Sequence, residues 1–153
     1  MFNFFRKKAV DFFSPGEKEK ITAAIQSAER STSGEVRVYI ESKCTYIDAL
    51  RRAKEIFYKM NMQHTAQRNA VLVYVALKDR QLAVFGDEGI HQKVGDVFWN
   101  QAVKNIISHF NKQDYAEGIA NMVLSIGDAL KMHFPYNAET DINELPDDIV
   151  FGK

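Results

Sequence analysis

The sequence predicts an α/β protein built on a small mixed β-sheet. Three observations carry that expectation. Residues Ala70 to Leu77 (AVLVYVAL) are almost continuously apolar, as a strand covered on both faces must be. Residues Glu35 to Glu41 (EVRVYIE) alternate strictly, with Val36, Val38 and Ile40 on one side and Glu35, Arg37, Tyr39 and Glu41 on the other. Helical stripes precede and separate these two segments. Helix, strand, helix, strand is the order of a βαβ crossover, so the two strands should run parallel. A third strand, Gln81 to Phe85, follows through the polar turn Lys78-Asp79-Arg80 and should pair antiparallel with the second.

Taken in order, the chain opens on a basic-aromatic arm, residues 1–13, carrying Phe2, Phe5, Phe12 and Phe13 around Arg6, Lys7 and Lys8. It suits either an arm packed on its own domain or a short helix lying on a membrane surface or a partner. A folded domain is expected over residues 14–135. Ser14-Pro15-Gly16-Glu17 combines a capping serine, a proline at the first helical position and the glutamate of a capping box. The helix it starts should bury Ile21, Ala24, Ile25 and Ala28. After the first strand, Thr45 and Asp48 read as a cap pair for a helix over about Tyr46 to Met62, with Leu50, Ala53, Phe57 and Met60 inward. After the third strand come Gly86-Asp87-Glu88-Gly89 and one turn over Ile90 to Val94. A helix then starts at Asp96, and a last helix, capped by Asp114 and Glu117, ends at Pro135. Residues 136–153 form an acidic tail with Glu139, Asp141, Glu144, Asp147 and Asp148. It is either detached or docks Ile149 to Phe151 as an edge strand.

Composition excludes several classes. Lys plus Arg number 20, as do Asp plus Glu, so no global field draws nucleic acid or an anionic membrane. One cysteine, Cys44, allows no internal disulfide. No apolar run reaches the roughly 20 residues of a transmembrane helix, and the N-terminus has no signal-peptide core. A cytoplasmic monomer is the expectation.

The candidate site follows from the topology. The start of strand one, the start of strand two and the end of strand three should meet. That brings Glu35, Asp87, Glu88 and Asp96 toward one neighbourhood, with Asn69 and His91 as accessory residues. Carboxylates and carbonyls are the ligands of hard divalent cations such as calcium, and glycines allow a backbone to approach a ligand closely. The spacing is not that of an EF-hand. The same acids suit a metal-assisted hydrolase with Asp87 in the catalytic role. Ordinary duties, turn residues for Asp87 and Glu88 and a helix cap for Asp96, are common uses of acids and explain them without a ligand. No phosphate-binding P-loop, dinucleotide G-x-G-x-x-G or G-x-S-x-G elbow is present.

Three segments resemble a known family: Ser33 to Val38 (SGEVRV), Asn69 to Val75 (NAVLVYV) and Gly86 to Trp99 (GDEGIHQKVGDVFW). They look like the TPM domain, over about Glu17 to Phe134. The resemblance implies a three-layer α/β/α sandwich, Rossmann-like but without a dinucleotide motif. It also implies a soluble bacterial branch. Calcium binding and acid phosphatase activity are associated with plant members. The chain departs from the family pattern at Gly34, at Ala70 and in the Gly86–Gly89 spacing. Three functional readings follow: a non-catalytic protein that binds a divalent cation, calcium in the first instance, and acts through a protein partner; a metal-assisted phosphatase on phosphomonoesters; or a purely structural interaction module.

Overall fold

The computed structural model describes residues 8–45, 48–137 and 148–152. Its centre is the segment with the least tolerance for water. All seven residues of β2 (Ala70–Ala76) are buried, as a continuous apolar run requires. Around it stand α1 (Ala9–Phe12), α2 (Pro15–Glu29), β1 (Glu35–Glu41), α3 (Ala49–Lys59), β3 (Gln81–Gly86), α4 (Glu88–Asn111), α5 (Tyr115–His133) and β4 (Val150–Phe151). The sheet order is β3-β2-β1-β4. β1 and β2 are parallel and β3 runs back antiparallel to β2, as the crossover and the hairpin dictate. Arg80 turns the hairpin in the left-handed region, φ 51°, and its amide donates to the Leu77 carbonyl at 3.3 Å.

Alternation assigns the layers. Val36, Val38 and Ile40 of β1 and Val71, Val73 and Val75 of β2 pack into one core with α2, α4 and α5. Leu72 and Tyr74 face the opposite way, onto Ala53, Ile56 and Phe57 of α3. This is a three-layer α/β/α sandwich, and no helix among the described residues is long and apolar enough to cross a membrane.

The capping box at α2 is complete. Ser14 Oγ accepts from the Glu17 amide at 3.1 Å, and Glu17 Oε1 accepts from the Ser14 amide at 2.9 Å. Ser14→Ala is expected to lower stability by about 1 kcal/mol in urea unfolding, the usual cost of a lost N-cap. A loss near zero would mean that α2 is held by its packing on α5 alone.

Four local expectations are corrected. Asp48 alone caps α3, accepting from the Leu50 amide at 3.0 Å, so the helix starts at Ala49. Tyr46 lies outside the described residues. Leu50 consequently faces outward and Ile56 takes its place inside. α4 begins straight after β3, capped by Asp87, and is broken at Gly95 (φ 74°) just before the expected start at Asp96. Asp114 occupies the N-cap position of α5 without a side-chain cap bond, and Glu117 pairs with Lys20 on α2.

At the N-terminus, Ala9 and Phe13 are buried in the main core, so residues 8–13 pack on their own domain. Phe2, Phe5, Arg6 and Lys7 lie outside the described residues. At the other end, Val150 and Phe151 pair parallel with Tyr39 and Ile40, making β4 an edge strand. Glu139, Asp141, Glu144 and Asp147 fall outside the described residues.

Candidate functional site

Strand register builds the corner. Glu35 on β1 pairs with Ala70 on β2, and the Asp87 amide at the end of β3 donates to the Ala70 carbonyl at 2.9 Å. The small side chain of Ala70 therefore lies between two buried carboxylates. Glu35 shares the face of β1 occupied by Tyr39, and Asp87 follows Phe85 by two residues; Tyr39 and Phe85 both pack on the α3 side. The three strand ends meet as the topology requires.

Asp87 is already engaged. Its Oδ2 accepts from Arg68 Nε at 2.7 Å, and its Oδ1 accepts from Arg68 Nη2 at 2.9 Å and from the Glu88 amide at 2.8 Å. This bidentate fork is the strongest geometry available to a carboxylate and guanidinium. The carboxylate raises the Arg68 guanidinium further above its already high range. To act as a nucleophile or base, Asp87 would first have to leave Arg68. Its cap bond to Glu88 also places it at the positive end of α4, a favourable seat for an anion.

The other predicted residues divide. Glu88 sits on the rim, its side chain 63% exposed, 3.3 Å from Arg68 Nη1. Asp96, 86% exposed, lies beyond the Gly95 break and faces His91 Nε2 at 3.7 Å. His91 is on the first turns of α4 rather than in a loop, and its Nδ1 accepts from the Trp99 indole at 3.0 Å. Since an indole only donates, Nδ1 serves as the acceptor in this bond and Nε2 is the nitrogen that faces Asp96. Asn69 is buried; its amide nitrogen donates to Ser33 Oγ at 3.3 Å, while Oδ1 is buried with no hydrogen-bond partner. The structure thus brings Glu35, Asn69 and Asp87 to the strand ends and leaves Glu88 and Asp96 outside them. Among the described residues no group of three or more His, Cys, Asp or Glu side chains is placed to hold a metal ion.

A cavity of about 660 Å³ opens beside the corner, walled by Arg68, Asp87, His91 and Trp99 on one side and by Lys54 and Tyr58 of α3 on the other. Its floor is β3 from Leu82 to Gly86. The two glycines of the acidic loop serve packing. A Cβ on Gly86 would run into the Trp99 ring, and one on Gly89 would stand 2.6 Å from the Arg68 carbonyl oxygen and closer still to that of Gln67. Gly89 also donates its amide to the Arg68 carbonyl at 2.8 Å, which no bulkier residue could reach.

Sequence reasoning assigned no role to Arg68, which organises the corner. A lone arginine before a strand carries no signal until the hairpin places Asp87 opposite it. It also missed a second polar network, at the other end of the sheet. Glu41 accepts two bonds from Arg52, at 3.0 Å each, and one from the buried Tyr74 hydroxyl. Burial first, then the bond to Glu41, pushes the Tyr74 phenol well above its ordinary range. Cys44, just beyond β1, is buried, and its amide donates to Asp79 at 2.7 Å.

Comparison with known proteins places this geometry. The chain is similar to the BA42 protein of the psychrophilic bacterium Bizionia argentinensis, whose solution structure superposes with a TM-score of 0.84 at 36% identity, covering 92% of this chain and 96% of that one. Fold alone is shared with the N-terminal domain of cg2496 protein from Corynebacterium glutamicum (TM-score 0.62, 17% identity, 78% of this chain and 74% of that one). The same holds for the N-terminal domain of a protein from P. gingivalis (TM-score 0.67, 18% identity, 82% of each chain). A comparison with curated proteins finds no significant match. The family model of the TPM domain matches residues 7–129, most of the chain, and the protein belongs to the TPM domain family.

Proposed function

We propose that this protein binds a divalent cation, calcium in the first instance, where β1 and β2 begin and β3 ends, and acts through a protein partner rather than by catalysis. The observation that carries the reading is Asn69 Oδ1. A buried amide oxygen without a partner costs about 1–3 kcal/mol, and an oxygen-seeking cation is one remedy for it. Glu35 and Asp87 supply carboxylates from the strands on either side, and backbone carbonyls and water would complete a shell of six to eight oxygens. Arg68 is the competitor, because it holds a positive charge against the carboxylate the cation needs. In support of a partner, β3 has no strand on its outer edge among the described residues. Such an edge accepts an extended segment of another chain, and it floors the cavity beside the corner.

Calcium titration followed by amide shifts is the test. Saturable shifts are expected at Glu35, Asn69 and Asp87. Asn69→Ala should weaken binding about tenfold, and Arg68→Gln should tighten it about tenfold by removing a charge at contact distance. Shifts that stay still at all three positions in the wild type would overturn the site. Tightening without any effect of Asn69→Ala would move it to the rim at Glu88 and Asp96.

A further inference from the structure

We propose a second binding site, at the opposite end of the sheet, that takes a phosphate-bearing small molecule. β1 and β2 run parallel, so Glu41 and Ala76 lie at one end of the sheet and the acidic corner lies at the other. In open α/β sheets ligands bind outside the carboxyl ends of the strands. Here β1 and β2 both end, and the chain passes from β1 to α3.

A cavity of about 950 Å³ occupies this place. Its size is that of a small-molecule site. Five cationic side chains line it, Lys8, Lys43, Arg52, Lys59 and Lys78, and Glu41 is the one carboxylate among its lining residues. Glu41 does not neutralise the rest, because its oxygens are taken by Arg52 and the Tyr74 hydroxyl. That network instead fixes the Arg52 guanidinium at the cavity wall. Lys8, Lys43 and Lys59 are exposed and stand in no ion pair among the described residues. Ammonium groups converging on one cavity repel each other until an anion enters, and a multiply charged phosphate answers several of them at once. The chain as a whole is neutral, so this is a local field and not a general affinity for polyanions. Tyr39, half-buried on the wall and stacked on Tyr74 at 6.3 Å, offers an aromatic surface beside the charges.

The experiment titrates the full chain with inorganic pyrophosphate and, separately, with ADP, at about 0.15 M salt so that weak surface pairing is screened. Saturable amide shifts at Ser42 to Thr45, Lys59 and Lys78 are expected. Equal affinities support recognition of phosphate alone; tighter binding of ADP supports phosphate recognition with stacking on Tyr39. The double substitution Lys43→Glu and Lys59→Glu should weaken either ligand at least tenfold, with far-ultraviolet circular dichroism unchanged. The milder Lys43→Gln should weaken it about threefold and guards against loss of fold in the double variant. The proposal is overturned by the absence of saturable binding. It is equally overturned by unchanged binding in the charge-reversed protein, or by preference for a DNA duplex over both small anions. Calcium binding at the other end of the sheet is read from different amides, so the two sites succeed or fail separately.

Discussion

Replacing Glu41 by alanine is expected to destabilise the protein by about 3–5 kcal/mol, the usual cost of removing one partner from a buried ion pair. The side chains of Glu41 and Arg52 are only 9% and 18% exposed. The substitution leaves the Tyr74 hydroxyl without its Glu41 acceptor and Arg52 with the more exposed Glu55, at 3.0 Å, as its carboxylate partner among the described residues. Urea unfolding should show a lower midpoint at unchanged slope. A loss under about 1 kcal/mol would mean that solvent reaches Arg52 and the pair behaves as a surface one. The same network sets a pH dependence. The Tyr74 phenol ionises above its ordinary 10.0 in the folded chain but near that value once unfolded. Its contribution is therefore fully present below pH 10 and is lost as pH rises beyond it. Tyr74→Phe should flatten that alkaline limb. An alkaline limb that keeps its slope in the variant would assign the effect to other groups.

Gly89→Ala is expected to cost about 3 kcal/mol or more, at the upper end of overpacking changes. The obstacle is backbone, the carbonyls of Gln67 and Arg68, so no rotamer change relieves it. The loop before β2 must move, taking Arg68 with it and loosening the fork on Asp87. Thermal unfolding measures the loss, and the Arg68 side-chain Nε resonance reports the fork. A stable variant with an unmoved Arg68 signal would show that α4 can shift instead.

Much of the fold was legible because its period is local. The apolar run of β2, the alternation of β1 and the Ser14–Glu17 box each state their structure within seven residues. The start of α4 did not, because Glu88, His91, Gln92 and Lys93 leave its first two turns largely solvated and Gly95 interrupts the stripe. β4, at two residues, is too short to show any period, so the docking of Ile149 to Phe151 stood in the sequence only as one of two alternatives. At the corner, chain order correctly joined the three strand ends but not the side chains. Which acids meet depends on the pleat: Glu35 and Asp87 flank Ala70, while Glu88 is one residue on and faces out. The glycines looked like room for a ligand; only the packed structure shows that the Trp99 ring and the loop carbonyls already occupy that room. Arg68 lies 19 residues before the acid it clamps, beyond the reach of any local pattern.

The docking of β4 changes what the sheet presents on the side of β1. Among the described residues the sheet ends in β3 on one side and in β4 on the other, and β4 covers only Tyr39 and Ile40 of the seven residues of β1. β4 is itself an edge of two residues, and very short edge strands are one way a sheet is kept from pairing with another chain. The long margin that could take up a foreign strand is therefore the one along β3.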